Sequence, residues 1–120
     1  MSETSASTIS IDFTCESLEA LHKLLGVDSV AEQTSATIGD GTTVVVEELM
    51  PCAGLTGKEI LVTIVISIAT GIPSGIAANW IYDNVVTDPQ LQSVQVEGTP
   101  REFKAVHDVE QIVDLARSQS

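Results

Sequence analysis

The chain has 120 residues, a length that fits one domain with a single modest hydrophobic core. Its 17 acidic residues outnumber its 5 basic residues, and the formal net charge is -12. Because nucleic acids and anionic lipid headgroups are bound through clustered Lys and Arg, this balance argues against both as partners. Such an acidic surface either keeps a protein soluble or steers a basic protein partner toward it, and a homodimer is a further option.

The first residues of the chain are polar and acidic. Residues 1–7 are rich in Ser and Thr, and we expect a disordered tail there, followed by a single domain at 8–120. The basic and apolar regions of a secretory signal are missing from this start, so we expect a cytoplasmic protein. Cys15 and Cys52 form no CxxC pattern, which predicts two reduced thiols, with one disulfide bridge as the alternative.

The N-terminal third of the chain contains one strand signal and one helix signal. Apolar and polar residues alternate over 9–14, which predicts a half-buried strand. From Cys15 to Leu25 the apolar spacing changes to three and four residues, the pattern of an amphipathic helix. Thr14 is its expected N-cap and Gly26 its expected C-terminal stop.

Two hairpins and a final helix are predicted in the rest of the chain. Residues 29–48 form the first hairpin, with its turn at Gly39-Asp40-Gly41, and 91–97 with 101–105 form the second. Asp108 is the expected cap of a second amphipathic helix at the C-terminal end. The apolar stripe of that helix consists of Val109, Ile112, Val113 and Ala116.

The uncharged stretch from Ile60 to Trp80 is the apolar centre of the sequence. Its length favours a long central helix, kinked near Pro73, because proline lacks the N–H that a helix interior uses. A buried strand is the alternative for the first half, since isoleucines alternate over 64–68. A membrane segment at 60–81 is the other alternative. The small and polar residues at 70–75 and the apolar faces of the flanking elements favour a buried helix over that segment.

Together these elements predict an α+β fold, in which an antiparallel sheet of hairpins packs against the long central apolar helix and the two amphipathic helices. Catalytic, cofactor-binding and metal-binding residues are not predicted. His22 and His107 have no metal-ligand spacing and fit structural positions near helix ends. A dispersed enzyme site, with either histidine facing a carboxylate, remains an alternative to a non-enzymatic protein.

Two segments of the C-terminal half carry a resemblance. Ser67-Ile68-Ala69-Thr70-Gly71, followed by the run from Ile76 to Asp83, resembles small bacterial conflict-system proteins, the immunity or effector-associated proteins encoded beside toxins. In those proteins a central apolar helix ends in an aromatic–Asp pair. The resemblance implies a protein without catalytic residues that neutralises a basic toxin by occlusion. The acidic side chains expected to pair with Lys or Arg of that partner are Asp12, Glu16, Glu19, Glu47 and Glu48.

Overall fold

The strand pattern predicted near the N-terminus recurs in the centre of the fold. The structure is a computed structural model, and it describes residues 7–16, 18–27, 30–51, 60–98 and 103–118. The strands are β1 (Ser7–Cys15), β2 (Ser35–Gly39), β3 (Thr42–Pro51), β4 (Ile60–Ile68) and β5 (Gln92–Val96). The helices are α1 (Leu18–Leu25), α2 (Ser74–Ile81), which continues into a π-helical segment (Tyr82–Val86), and α3 (Val106–Ser118).

The strands form one antiparallel sheet in the order β2-β3-β4-β1-β5. With the three helices this confirms the predicted α+β class. The central strand β4 is paired along its whole length, with β1 on one side and β3 on the other. β1 begins at Ser7, the last residue of the predicted tail, while residues 1–6 lie outside the described part of the chain.

One face of the sheet forms the hydrophobic core. Alternate residues of β4, at 62, 64, 66 and 68, are fully buried, and so are Ile9, Ile11 and Phe13 of β1. The buried side chains of the helices belong to the same cluster, so the described helices pack on this face. The helical members of the cluster include Leu21, Ala77, Ala78, Ile81, Val109 and Val113.

The prediction of a long central apolar helix is wrong. Residues 60–68 form β4, as the alternation of isoleucines allowed, and α2 begins only at Ser74. Between them Gly71 adopts a φ of +91°, a conformation that favours glycine, and Pro73 precedes the first helical residue. The stretch considered as a membrane segment is thus divided into a strand, a turn and a short helix. Among the described residues, no helix has the length and apolar character needed to span a membrane.

Two of the predicted helix starts are also wrong. Thr14 is not an N-cap, because it remains in β1 opposite Leu61, and α1 begins at Leu18. Asp108 lies in the first turn of α3, which begins two residues earlier, and its Oδ2 accepts a hydrogen bond from the backbone N–H of Lys104 at 3.0 Å. The predicted C-terminal stop of α1 is confirmed, since Gly26 has a φ of +68° and donates its N–H to the carbonyl of His22.

The two predicted hairpins differ in outcome. β2 and β3 pair around the turn at Asp40 and Gly41, where the first was expected, although β2 begins at Ser35. The second is wrong, because β5 pairs with β1 and residues 103–105 form no strand, while 101 and 102 lie outside the described residues. Local alternation does not specify that β5 lies at the sheet edge beside β1, because the two strands are far apart in the sequence.

The alternation in β4 predicts unequal costs of substitution at neighbouring residues. Ile66→Ala should lower the free energy of unfolding by about 2–5 kcal/mol, because it leaves a cavity in the core. Val65→Ala, on the other face of the same strand, should cost less than about 1 kcal/mol. Urea unfolding measures both. Equal costs would contradict the strand and fit a helix that is apolar all round.

Glycine substitutions test the β2–β3 turn. Gly41 has a φ of +64°, and a Cβ there would lie 2.7 Å from Cγ1 of Ile72, whereas Gly26 has a similar φ and no neighbour within 4 Å. Gly41→Ala should therefore destabilise the protein more than Gly26→Ala, by about 1 kcal/mol or more, because only the first adds a steric clash to the backbone strain. Thermal or urea unfolding of the two variants provides the comparison.

Candidate interaction surface

The face of the sheet opposite the helices is the main candidate surface, and we call it the open face. Its side chains alternate with those of the core along β1, β3 and β4. None of them belongs to the buried cluster. They are Thr8, Ser10, Asp12 and Thr14 on β1, Thr43, Val45, Glu48 and Met50 on β3, and Leu61, Thr63, Val65 and Ser67 on β4.

Asp12 and Glu48 lie in one row across the open face. Each is the direct cross-strand partner of Thr63, so the row runs Glu48, Thr63, Asp12 over three neighbouring strands. The hydroxyl of Thr63 donates a hydrogen bond to Oδ1 of Asp12 at 2.6 Å. Because strands are spaced about 4.8 Å apart, the backbones of the two acidic residues are separated by about 10 Å.

A β-bulge directs Glu48 to the open face. Val44 and Val46 are buried opposite Ile66 and Ile64, and strict alternation would turn residue 48 into the core as well. Instead the register shifts between Val46 and Glu48, and the inserted residue is Glu47. Both glutamates are exposed as a result. The bulge thus avoids the cost of burying a carboxylate.

Glu16 and Glu19 belong to a different place. They line an open cleft of about 350 Å³ at the start of α1, together with Ala20 and the segment Pro89–Gln90. Gln92, on the edge strand β5, completes the lining. The five acidic residues predicted to bind a partner therefore fall into two groups. Asp12 and Glu48 lie in one row of the open face, with Glu47 in the adjacent bulge. Glu16 and Glu19 line the same cleft.

A second cleft of about 240 Å³ lies on the other side of Pro89, where the π-helical segment ends. Asn84 and Thr87 line it, but their side chains donate hydrogen bonds to the backbone carbonyls of Trp80 and Asp83, at 3.0 and 2.8 Å. These polar groups thus stabilise the turn itself. No local sequence pattern indicates this cleft, because it depends on how the π-helical segment packs beside α1.

Both histidines lie on helices. His22 lies in the last turn of α1, and a ring nitrogen of His107 is 3.2 Å from the side-chain nitrogen of Gln111 on α3. Neither histidine lines one of the two clefts described above. Within the described residues, no group of three or more His, Cys, Asp or Glu is arranged to hold a metal ion. Cys15 is buried at the end of β1, and Cys52 lies outside the described residues.

The basic residues that the structure describes are not among the residues of the open face. Of the three basic residues in the described part of the chain, Lys23 is on α1 and Lys104 lies two residues before the start of α3. Arg117, on α3, donates hydrogen bonds to the carbonyl of Ile72 and to Oγ of Ser74, and so ties α3 to the start of α2. The charged side chains of the open face, as defined above, are only the carboxylates of Asp12 and Glu48.

Sequence reasoning missed the central part of this surface. Leu61, Thr63 and Val65 were assigned to a helix, where they share no face with Asp12. Once 60–68 is taken as a strand, the period of two places all three on one side. The high content of β-branched residues in this segment was the signal that favoured the strand.

Comparison with known proteins adds no relative: the chain matches no protein-family model, no curated protein and no solved structure.

The excess of negative charge predicts a stability that rises with salt. Self-repulsion at a net charge of -12 destabilises the compact state, and salt screens it. We expect the free energy of unfolding to increase by about 1 kcal/mol or more between about 0.05 M and about 1 M NaCl. In the double variant Glu47→Lys/Glu48→Lys, which reverses two exposed charges, the free energy of unfolding should increase less over the same range of salt concentration. Urea unfolding at each salt concentration measures both, and an unchanged midpoint would contradict the repulsion.

Proposed function

We propose that this chain is a non-enzymatic acidic binding protein of the immunity or inhibitor type, which neutralises a basic toxin or effector by occlusion. The observation that carries the proposal is that the two charged side chains of the open face, as defined above, are both carboxylates. The carboxylates of Asp12 and Glu48 share the open face with no base among its residues, whereas the described basic residues lie with the helices. A field of this sign accelerates encounter with a positively charged partner and disfavours acidic ones.

In this proposal the protein acts by covering the partner. Carboxylates at Asp12, Glu47 and Glu48 pair with Lys or Arg around the partner's functional site, and Glu16 and Glu19 extend the negative field beyond β1. Exposed ion pairs of this kind contribute little affinity each but strongly affect the rate of association and the choice of partner. We propose that the encounter takes place in the cytoplasm.

The resemblance to conflict-system proteins gives weaker support than the charge. It rests on 67–71 and 76–83, and it implies a continuous apolar helix that ends in an aromatic–Asp pair. Here Ser67 and Ile68 end a strand, and the helix spans only Ser74–Ile81 before Tyr82 and Asp83. The proposal therefore depends on the acidic surface and on the salt sensitivity that such a surface confers.

Affinity capture from the native host tests the proposal. With the full chain as bait, a protein rich in Lys and Arg should be recovered at about 50 mM NaCl and lost at about 500 mM, because salt screens exposed ion pairs. A bait with Asn or Gln at positions 12, 16, 19, 47 and 48 should recover much less of it. Co-expression of the wild-type chain should also relieve the toxicity of the recovered protein.

Three results would contradict the proposal. The first is the recovery of no basic protein at low salt. The second is a partner that the neutralised bait retains equally well, which would place recognition on other residues. The third is a partner whose activity is unaffected when the chain is bound, because occlusion requires that binding and neutralisation go together.

A further inference from the structure

Four aliphatic side chains of the open face are left out of the core. Val45 and Val65 are direct cross-strand partners, and so are Met50 and Leu61. Neither pair belongs to the buried cluster or packs against it, and Met50 is 47% exposed. One pair lies on each side of the row Glu48, Thr63, Asp12, so apolar surface flanks the two carboxylates along the strand direction.

This arrangement identifies the chemistry that fits the surface. We infer that the open face is the docking site for the basic partner, and that the partner presents an aliphatic patch bearing two Lys or Arg side chains about 10 Å apart. The inference rests on the proposed function and specifies where and by what contacts it is carried out. The aliphatic pairs supply non-directional burial, and the carboxylates select the partner and fix its register.

The position of the carboxylates disfavours a second copy of the chain as the occupant. The row lies between the two aliphatic pairs, so a two-fold axis through the middle of the patch would bring Asp12 and Glu48 of both copies together. Like charges would then be buried without a base, which costs more than the aliphatic contact returns. The same sign of charge repels anionic lipid headgroups.

The size of the open face fits a small, transient interface. β1 and β4 have nine residues each, or about 30 Å, and the three strands β1, β3 and β4 together cover a width of about 15 Å. The resulting area of about 450 Å² is smaller than the roughly 800 Å² that each partner buries in a typical specific interface, and it fits the smaller class of interfaces in transient complexes. The hydrogen bond from Thr63 restrains the carboxylate of Asp12 before binding, which lowers the entropic cost of pairing it with a cation.

Amide chemical-shift mapping tests the inference with a defined probe. The probe is a synthetic amphipathic helical peptide of Leu and Lys, about 14 residues or about 21 Å long. A second peptide with Gln in place of Leu keeps the charge and removes the aliphatic face. The Leu–Lys peptide should shift the amides of Val45, Thr63 and Val65 on full-length protein. The Gln–Lys peptide should bind at least about fivefold more weakly, because it buries no aliphatic surface.

Matched variants assign the binding energy. The double variant Asp12→Asn/Glu48→Gln should bind the Leu–Lys peptide about tenfold more weakly, since both ionic contacts with the peptide are lost. Glu110→Gln/Asp114→Asn on α3 makes the same chemical changes away from the open face and should alter the affinity by less than about twofold. Leu61→Thr/Val65→Thr keeps the charge and the preference for strand but should weaken binding by at least about fivefold.

The outcomes separate this inference from the proposed function. Shifts confined to Ala20, Gln90 and Gln92, with affinity lost in Glu16→Gln/Glu19→Gln, would overturn the open face while leaving an acidic binding protein. Equal binding of both peptides would overturn the aliphatic contact. Shifts of the open-face amides by anionic vesicles, or on raising the protein concentration alone, would assign the face to a membrane or to a second copy and also overturn the inference.

Discussion

The structure depends on the pairing of β4 with a strand on each side. That pairing satisfies the backbone of the most apolar segment of the chain and fixes which of its side chains face the helices. Each buried isoleucine of β4 lies in a cross-strand row, for example Ile64 between Ile11 and Val46. Layers of β-branched side chains of this kind fill the core with few aromatic residues, which make up 3% of the chain.

The same pairing leaves the second face of the sheet without a covering layer among the described residues, and the bulge at Glu47 places a second carboxylate on that face. Without the inserted residue, Glu48 would point into a core of valine and isoleucine side chains. With it, Glu48 joins Thr63 and Asp12 in a row, and Leu49 returns to pack against the core. A local change of register thus separates the apolar and acidic parts of one strand, and the open face gains its second carboxylate.

Local sequence patterns predicted the elements whose signals are local. The alternation in β1, the positive φ at Gly26 and the apolar stripe of α3 each depend on a few neighbouring residues. In the segment 60–68 the alternation of isoleucines competes with a nearly continuous apolar run, because β4 is largely apolar on both faces and such a run is the same for a buried helix as for a central strand. Seven of its nine residues are β-branched, and weighting that composition above length would have favoured the strand.

Long-range register was beyond the reach of those patterns, and the candidate surface depends on it. Asp12 and Glu48 are 36 positions apart, and they share a row only because β4 lies between their strands and a bulge corrects the alternation. The pairing of β5 with β1 is of the same kind, since its residues are more than 75 positions from their partners. The sequence therefore identifies the acidic residues as a set. It does not show that some of them lie on a sheet face and others in a cleft.

The open face carries aliphatic surface that could bind a partner, together with charges that oppose self-association. Aliphatic residues such as Leu61 and Val65 on the side of a central strand away from the core favour self-association, and proteins commonly prevent that association with nearby charged side chains. Here the charges lie between the aliphatic pairs and all have one sign. A second copy meets its own carboxylates, whereas a basic partner meets complementary ones. Under the proposed function, the side chains that protect the sheet from its own copies would also select the partner, and this dual use would account for the carboxylates between the two aliphatic pairs.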